Sequence, residues 1–439
     1  MSKAKILSLT RLDRDAGSRD NAMKLVILNR YFHPDESATS RMASSLAFGL
    51  ADRGWDVHAV SSRQLLGTPD ADLRYRAEVD GVTVHRIWTS RFGRRRVLGR
   101  VCDYTTYYIS VFLWLLRFTR RGDVLIVATD PPLLSVVASA AAAFTGAICV
   151  NWLHDLYPEV AVGLGVTMPG VGYRVLQWCR DRSMRGAAMN VAIGGRMAEY
   201  IHDRGVSREQ IAVIHNWSDG QCIRPLPPFD NVLRQEWGLT GKFVVGYSGN
   251  MGRGHDFGTI LSAAKALEDQ PDVVFLFIGA GHQLSLIDEQ VRAHDLLNVM
   301  LRPYQPASQL TESLSVPDVH LVSLKPMLEN FMVPCKFYGV AAAGRPTIYI
   351  GDVTGEIPAI LRDADCGSAI AVGDVGGLVE CIARLRQSPE QVARWSRNAR
   401  KALLRRFDRH LAIDRWCSVL DRLVARRAVL YPRMAKVED

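Results

Sequence analysis

The chain alternates short apolar runs with longer stretches that have the hydrophobic period of a helix. In the first half, strands are predicted at residues 25–28, 57–61, 82–87, 123–129 and 147–152. An amphipathic helix at 40–53 and an alanine-rich helix ending at residue 144 lie between some of them. Strands and helices repeated in this order are typical of a parallel sheet with right-handed crossover connections.

A second series of the same kind begins near residue 242. Its predicted strands are 243–247, 273–278, 299–302, 319–323 and 346–351, with a helix at about 256–268, and a basic helix at about 389–427 ends the pattern. A proline-rich stretch at 225–228 separates the two series. The sequence therefore predicts an α/β protein with two doubly wound, Rossmann-like domains that face a central cleft, where ligands of such sheets bind.

The predicted boundaries follow from these breaks. We expect an irregular N-terminal extension, two domains, and a terminal helix that crosses back over the first domain. The corresponding ranges are 1–22, 23–220, 221–405 and 406–439. Residues 1–22 have no apolar core segment, so a secretory signal is not expected.

Two uncharged stretches are candidates for segments that span or contact a membrane. Residues 104–116 are apolar and aromatic but too short to span a bilayer, and arginines cluster on both sides within 91–121. This composition favours contact with a membrane interface; the alternative is a buried helix with a solvated basic rim. Residues 131–153 are long enough to span, but the proline at the start and Gly146 predict a buried helix followed by a buried strand.

Composition narrows the class of partner. The 439 residues are 48% hydrophobic and 23% charged, as in a folded protein with several domains. The eight cysteines form no CxxC pair, which argues against structural zinc and favours free thiols in a reducing compartment. The net charge of +9 indicates an anionic partner. Nucleic acid is not expected, because the arginines flank an apolar helix rather than exposed stacking aromatics.

The strongest local motif follows the first strand of the second series. Residues 245–256 read Val-Gly-Tyr-Ser-Gly-Asn-Met-Gly-Arg-Gly-His-Asp. Glycines such as Gly249 allow backbone N–H groups to approach a phosphate, and Arg253 can bind two phosphate oxygens. The alternative is an ordinary strand-to-helix turn with a surface arginine.

A second motif spans residues 325–346. It leads through a loop interrupted by prolines into a helix of small residues. Lys336 lies near the start of that helix. A diphosphate at this place would meet both the lysine charge and the helix dipole. The three alanines at 341–343 fit close packing of helix on sheet, and are equally explained as core.

Together these motifs resemble family 4 glycosyltransferases of the GT-B fold, in the branch that builds bacterial surface polysaccharides on lipid-linked acceptors. The resemblance covers about residues 24–425. Further matching stretches are 31–34, 154–159, 213–219, 277–281 and 302–305.

The resemblance implies roles for particular residues. Arg253 and Lys336 would bind the donor diphosphate, and Gly249 and Asn250 would line its approach. The remaining implied contacts are Tyr304 and Gln305 near the base, Glu329 on ribose or sugar hydroxyls, His154 and Asp155 facing the transferred sugar from the opposite wall, and His33 and Ser37 near the diphosphate or acceptor.

The sequence departs from the family pattern in two places. The family carries two glutamates eight positions apart, but Phe331 and Gly339 stand there. Glu329 can replace the first only if the loop is two residues longer. The usual Gly-Gly pair of the first loop is also absent, and residues 36–39 read Glu-Ser-Ala-Thr.

The resemblance further implies a retaining transfer from a nucleotide-diphosphate sugar to a lipid-linked or saccharide acceptor, at the inner face of the cytoplasmic membrane. No Asp-x-Asp signature occurs in a suitable loop, so neither a metal nor another cofactor is expected. Two alternatives remain open: a sugar-nucleotide 2-epimerase of the same fold, and a non-catalytic membrane-associated assembly protein.

Overall fold

The structure is a computed structural model that describes residues 23–66, 68, 71–93 and 97–430. The expected N-terminal extension at 1–22, three of the clustered arginines at 94–96, and the last nine residues lie outside the described ranges.

Two separate β-sheets form the centres of two domains. The first has eight strands in the order β3-β4-β2-β1-β5-β6-β7-β8, parallel except for the antiparallel pair β3–β4. Its strands are β1 (Leu25–Leu28), β2 (Val57–Ser62), β3 (Arg76–Val79), β4 (Val82–Ile87), β5 (Val124–Val127), β6 (Ile148–Leu153), β7 (Met189–Ala192) and β8 (Ile211–Val213).

The second sheet has six parallel strands in the order β11-β10-β9-β12-β13-β14. They are β9 (Phe243–Ser248), β10 (Val273–Ile278), β11 (Val299–Arg302), β12 (Val319–Ser323), β13 (Thr347–Gly351) and β14 (Gly367–Ala371). In both sheets the central strands are buried on both faces, because helices cover each side.

The helices that connect these strands lie within the described ranges as follows. They are α1 (Ala38–Ala51), α2 (Val97–Phe118), α3 (Leu134–Thr145), α4 (Glu159–Gly163), α5 (Gly170–Gly186), α6 (Gly195–Asp203), α7 (Val232–Glu236), α8 (Gly258–Ala266), α9 (Leu284–Ala293), α10 (Leu310–Ser315), α11 (Lys336–Ala342), α12 (Glu356–Ala364), α13 (Val375–Gln387), α14 (Pro389–Ala402) and α15 (Arg409–Leu430).

The predicted fold class is confirmed, and most predicted strands match to within two residues. Four strands were not predicted, among them β8, which has only three residues. The strand β3 is a polar edge strand, β7 has only four residues, and β14 reads Gly-Ser-Ala-Ile-Ala, which lacks the branched side chains that favour strands. Their pairing with neighbouring strands, rather than their own sequence, determines their conformation.

The two uncharged stretches are both accounted for. Residues 131–153 form α3 and β6, as predicted. Residues 104–116 lie inside α2, which buries Tyr107, Val111 and Leu115 but leaves Ile109 and Leu113 more than half exposed. Among the described helices, none combines the length and apolar character needed to cross a membrane.

The prediction of one continuous basic helix at the C-terminal end is wrong. A π-helical turn at Leu403–Phe407 ends α14, and α15 starts after Asp408. The Asp408 carboxylate accepts the backbone N–H of Gly220 at 3.2 Å, so it ties this break to the segment between the domains. After the break, α15 packs on α1 of the first domain.

Close packing of α15 on α1 depends on a glycine. A Cβ atom on Gly49 would lie 2.7 Å from the side chain of Ile413, which is inside the normal contact distance. We therefore expect Gly49→Val to lower the free energy of unfolding by about 1–3 kcal/mol, measured by urea denaturation. As the control, Gly376→Ala in α13 meets no atom within 4 Å and should leave stability the same or slightly higher. Equal stabilities of the two variants would contradict this account of the interface.

Candidate functional site

Loops from both domains meet where the parallel strands end. In the second domain these loops follow β9 and β12. The loop after β12 also touches the first domain: the backbone N–H of Leu156 donates to the carbonyl oxygen of Phe331 at 2.9 Å, and Asp155 forms an isolated antiparallel bridge with Met332. The cleft between the domains is therefore bounded by backbone contacts at this end.

The glycine-rich loop after β9 lies directly against neighbouring backbone. Gly249 has a φ of +124°, and a Cβ atom built on it would lie 3.0 Å from Cε of Lys336. A Cβ atom on Gly279, in the loop after β10, would come within 2.2 Å of the Gly249 carbonyl oxygen. Glycine is required at both positions for these approaches. Asn250 follows, with its side chain exposed.

Lys336 begins α11, and its ammonium group lies among neutral side chains. Its Nζ donates to Nε2 of His255 at 2.9 Å and lies 5.2 Å from the ring centroid of Tyr247. Burial lowers the pKa of Lys336 to about 8. In the described part of the chain, no carboxylate lies within ion-pair distance of this ammonium group.

His255 holds the lysine as a neutral acceptor. Its Nδ1–H donates to the carbonyl oxygen of Ser323, which leaves the Nε2 lone pair for Lys336. Burial, and then the charge of Lys336, lower the pKa of His255 to about 3. The imidazole therefore stays uncharged at neutral pH and does not neutralise the ammonium group.

Arg253, the other predicted diphosphate contact, lies on the same loop as His255. Arg253 is exposed and donates from its guanidinium to Nε2 of His282 at 2.5 Å. Arg253 stands two residues before His255, the partner of Lys336, but its guanidinium is directed to His282 in the loop after β10, so the convergence of Arg253 and Lys336 on one diphosphate stays a prediction. The loop that carries Arg253 joins β9 to α8, at the carboxyl edge of the second sheet.

Tyr304 and Gln305 lie on the loop after β11. The Tyr304 side chain is 54% exposed, and burial of the rest raises its pKa. Arg41 of α1, in the first domain, is near enough to lower that pKa in part. The Gln305 amide donates to the carbonyl oxygen of Pro303 at 2.9 Å.

The opposite wall carries His154 and Asp155 at the end of β6. His154 is buried, its ring lies at a tilt against Trp152 with the centroids 4.3 Å apart, and neither ring nitrogen has a hydrogen-bond partner among the described residues. Burial lowers the pKa of His154 to about 4. Burial, and then the nearby charge of Asp130, raise the pKa of Asp155 to about 7. The wall therefore offers a neutral imidazole and a carboxyl group that titrates near neutral pH.

The first loop lies beside this wall. His33 packs its ring edge-on against Phe48 at 5.9 Å, and Ser37 donates from Oγ to the Asp35 carboxylate at 2.5 Å. Two residues later, Thr39 donates to Asp130 at 3.4 Å. The hydroxyl of Ser37 is thus already engaged within its own loop.

Glu329 lies in the loop after β12, but it is buried. Its carboxylate accepts the Tyr349 hydroxyl and the backbone N–H of Glu356, each at 2.6 Å. Burial raises its pKa, and these hydrogen bonds oppose the rise. Both oxygens therefore already bind protein groups, and the predicted contact with ribose or sugar hydroxyls stays a prediction.

A second cluster, of polar and charged side chains around Glu356, joins the two domains next to Glu329. The Glu356 carboxylate accepts Nε2–H of His215 at 2.9 Å and the backbone N–H of Arg196 at 3.2 Å. Burial alone would raise the pKa of Glu356, but these bonds hold it below the usual value. Arg196 also pairs with Asp352 at 3.2 Å. The amino ends of α6 and α12 thus face one another with a carboxylate between them.

Sequence reasoning missed His255, His282, Asp130 and the Glu356 cluster. Asp130 lies three residues after the end of β5 and Asp155 two residues after the end of β6, and these strands are neighbours in the sheet. Polar residues at the ends of adjacent strands were therefore a usable signal for Asp130. His255 stood in the glycine-rich motif itself, but its partner is 81 residues away.

No group of three or more His, Cys, Asp or Glu side chains with the arrangement of a metal site occurs among the described residues.

Comparison with known protein families identifies both halves of the chain. A Glycosyl transferase 4-like domain matches residues 37–217, and a Glycosyl transferases group 1 domain matches residues 230–402. This chain belongs to the family 4 glycosyltransferases of the GT-B fold. It is therefore a transferase of glycosyl groups.

Two curated proteins are similar to this glycosyltransferase. WcaI of Escherichia coli K12, assigned as a glycosyl transferase of colanic acid biosynthesis, is 23% identical over 346 residues, which is 76% of this chain and 85% of WcaI. WbjE of Pseudomonas aeruginosa, assigned as a glycosyltransferase, is 27% identical over 285 residues, which is 63% of this chain and 69% of WbjE.

Solved structures show the same fold. Sucrose-phosphate synthase from Thermosynechococcus elongatus has a TM-score of 0.74 at 14% identity, covering 92% of this chain and 100% of the other. WaaG, a glycosyltransferase of lipopolysaccharide biosynthesis, has a TM-score of 0.65 at 14% identity, covering 90% and 99%. Anabaena Alr3699/HepE, solved with UDP-glucose, has a TM-score of 0.68 at 16% identity, covering 91% and 100%.

On the prediction that Lys336 binds the donor diphosphate, its lowered pKa should make the affinity for a nucleotide-diphosphate sugar depend on pH. A diphosphate favours the charged ammonium form, which predominates below pH 8 and is lost above it. The dissociation constant should therefore rise about tenfold between pH 7 and pH 9, measured by calorimetry.

The matched control is Lys336→Arg, because a guanidinium does not titrate in this range. Its affinity should be nearly constant between the same two pH values. A flat profile for the unmodified protein, or a tenfold change that persists in Lys336→Arg, would contradict the assignment of the titrating group.

Proposed function

We propose that this glycosyltransferase moves a sugar from a nucleotide-diphosphate sugar to a saccharide acceptor in surface polysaccharide biosynthesis. The observation that carries the proposal is the contact of the Lys336 ammonium group with His255 of the glycine-rich loop, which also contains Arg253, with no carboxylate paired to Lys336 among the described residues. The assignment of WcaI to colanic acid biosynthesis and the UDP-glucose in the HepE structure support the pathway class and the donor class.

The two cations act on the departing diphosphate. Cleavage of the anomeric bond places negative charge on the diphosphate and positive charge on the sugar. A guanidinium and an ammonium held at one place stabilise the developing negative charge without reorganising during the reaction. Arg253 supplies a planar pair of hydrogen-bond donors. Lys336 supplies an ammonium group, and the pKa of that group rises when the diphosphate binds.

The transferred sugar would lie against the first domain. His154 has two buried ring nitrogens without protein partners, and a sugar hydroxyl would satisfy one of them. Asp155 is beside it, and its pKa of about 7 allows it to accept a hydrogen bond or a proton at neutral pH. These two residues therefore orient the sugar and the acceptor hydroxyl opposite the diphosphate site.

Transfer is proposed to retain the anomeric configuration. The acceptor hydroxyl attacks on the face from which the diphosphate leaves, and a donor phosphate oxygen takes its proton. In this scheme Arg253 and Lys336 provide the charge stabilisation that a divalent cation would otherwise supply, so the reaction needs no metal.

The acceptor is proposed to be lipid-linked, at the inner face of the cytoplasmic membrane. On α2, the side chains of Leu98, Val101 and Leu116 are exposed, and Arg100 and Arg117 are exposed on the same helix. An apolar surface with neighbouring arginines is complementary to an anionic membrane interface.

Arg253→Ala tests the diphosphate contact. Transfer of sugar to an acceptor extract should fall by about 10²-fold or more, because one positioned cation is removed from the transition state. The variant should unfold at the same temperature as the parent, since Arg253 is exposed. As a control, Arg292→Ala removes an exposed arginine of α9 and should keep full activity. Unchanged turnover in Arg253→Ala would remove this residue from the mechanism.

A single reaction tests the stereochemistry and the metal requirement. In excess EDTA the rate should stay within about twofold of the untreated rate, because Arg253 and Lys336 already supply the charge that a divalent cation would contribute. The product should carry the anomeric configuration of the donor, determined by NMR. Loss of activity that added Mg²⁺ or Mn²⁺ restores would refute metal independence, and an inverted product would refute retention.

The same assay without acceptor separates a transferase from an epimerase. Donor incubated alone should give no free epimer. Release of an epimerised sugar without acceptor would favour the epimerase instead.

A further inference from the structure

Helix α6 of the first domain contacts the second domain at two loops. Its side chains Arg196 and Tyr200 are one helical turn apart and lie on one face of the helix. The Arg196 guanidinium lies 3.2 Å from the Asp352 carboxylate in the loop after β13, and donates to the carbonyl oxygen of Thr354 at 2.7 Å. Tyr200 contacts the loop after β12, which leads to Lys336. The two loops of the second domain therefore rest on one face of α6.

Phe331 is the second-domain partner of Tyr200. The two rings meet edge-on, with their centroids 5.0 Å apart and their planes at 85°. The carbonyl oxygen of Phe331 also accepts the backbone N–H of Leu156 at 2.9 Å, and Leu156 directly follows Asp155 of the opposite wall. The first domain thus holds both the ring and the backbone of Phe331, on the loop that leads to Lys336.

The Tyr200 ring is fixed within its own domain through its hydroxyl group. That hydroxyl donates to the Glu159 carboxylate at 2.6 Å. Burial, and then the hydrogen bond with Glu159, raise the pKa of Tyr200 to about 12, so the hydroxyl stays a donor at neutral pH. Glu159 is buried and also accepts the guanidinium of the buried Arg180 at 2.9 Å. The ring that Phe331 meets is therefore anchored to a buried ion pair.

The environment of Phe331 favours a role in placement over a role in the core. Its side chain is only partly buried, whereas Phe337 and Tyr338 on the following helix are fully buried. Loss of a partly buried side chain changes the stability of a domain less than loss of a core side chain. Phe331 also stands where the family pattern has a glutamate, and the structure shows an aromatic contact between the domains at that position.

We propose that Tyr200 and Phe331 are positioning residues: their contact holds the loop that leads to Lys336 against the first domain, so that the diphosphate site faces the wall of His154 and Asp155. The kinetic consequence rests on the proposed function, whereas the contact itself can be measured without a reaction. Transfer requires the donor and the acceptor hydroxyl at a fixed separation. A displacement of this loop therefore slows transfer without removing any group that binds the diphosphate.

Hydrogen exchange at the Leu156 amide tests the contact directly, because this N–H donates across the domain boundary to Phe331. In Phe331→Ala it should exchange about tenfold faster than in the parent, since the loop then leaves the wall more often. The amide of Ala198, which donates to Gly194 at the start of α6, should keep the parent rate. Unchanged exchange at Leu156 would overturn the contact, and so would equal acceleration at Ala198, because the variant would then act by unfolding α6.

A second variant approaches the same contact from the first domain. If Phe331→Ala does not fold, Tyr200→Leu removes the facing ring and should accelerate exchange at Leu156 to a similar extent. Tyr200→Phe keeps the ring and loses only the hydroxyl, so it should stay closer to the parent rate than Tyr200→Leu. A parent rate in the folded Tyr200→Leu variant would overturn the proposal.

Kinetics separate positioning from binding. In Phe331→Ala, kcat for transfer should fall about tenfold, while the dissociation constant of UDP, or of GDP if UDP does not bind, stays within about twofold. Phe331→Tyr keeps the ring and should have a kcat within about twofold of the parent. A full kcat in Phe331→Ala would overturn the positioning role. Parallel losses of kcat and nucleotide affinity would also overturn it, because Phe331 would then shape the diphosphate site itself.

The matched control is an edge-on aromatic pair inside one domain. Phe144 of α3 meets Phe112 of α2 with the ring centroids 6.4 Å apart and the planes at 86°. Phe144→Ala, assayed with a water-soluble acceptor, should keep the parent kcat and the parent exchange rate at Leu156. A comparable loss of kcat in this variant would show that removal of an unrelated aromatic pair is enough to slow transfer, and would overturn the specific role of Phe331.

Failure of the contact and failure of the proposed function give different results. If exchange at Leu156 responds as expected and no acceptor is glycosylated, the contact between the domains is retained and the proposed function is refuted. If Phe331→Ala transfers sugar at the full rate with unchanged exchange at Leu156, the transferase is retained and the positioning role is overturned.

Discussion

An ammonium group without a counter-ion determines the character of the cleft. Lys336 is held between the Tyr247 ring and the neutral imidazole of His255, in surroundings that lower its pKa to about 8. A buried charge in such a place costs folding free energy, and the cost is recovered only when an anion arrives. The protein maintains this arrangement by fixing the His255 tautomer through the Ser323 carbonyl oxygen, so the ammonium group is held in place before any ligand binds.

The position of that charge depends on contacts between the domains. The loop that carries Glu329 and leads to Lys336 is held on one side by Leu156 and on the other by the amino end of α12. Glu356 extends the same connection to α6 and His215. A rotation of one domain against the other would therefore strain this loop, because contacts with both domains hold it.

Local sequence patterns predicted the strands and the two motifs well, because both depend on neighbouring residues. The bounds of Val82–Ile87 follow from period-two alternation, and those of Val273–Ile278 from a continuous apolar run. The same patterns could not predict the hydrogen bond between Lys336 and His255, or the rise that Asp130 causes in the pKa of Asp155. Both depend on which loops the order of the strands brings together. Glu329 shows the opposite case: its residue type suited a hydroxyl contact, but the carboxylate caps the start of α12 instead of remaining free.

The position of α15 links the two ends of the chain. Trp416 of this helix packs edge-on against Trp152 at 5.4 Å, and the Trp152 ring in turn lies at a tilt against His154. The first domain thus lacks part of its core until α15 has been synthesised, after the whole of the second domain. This long-range contact raises the contact order of the fold.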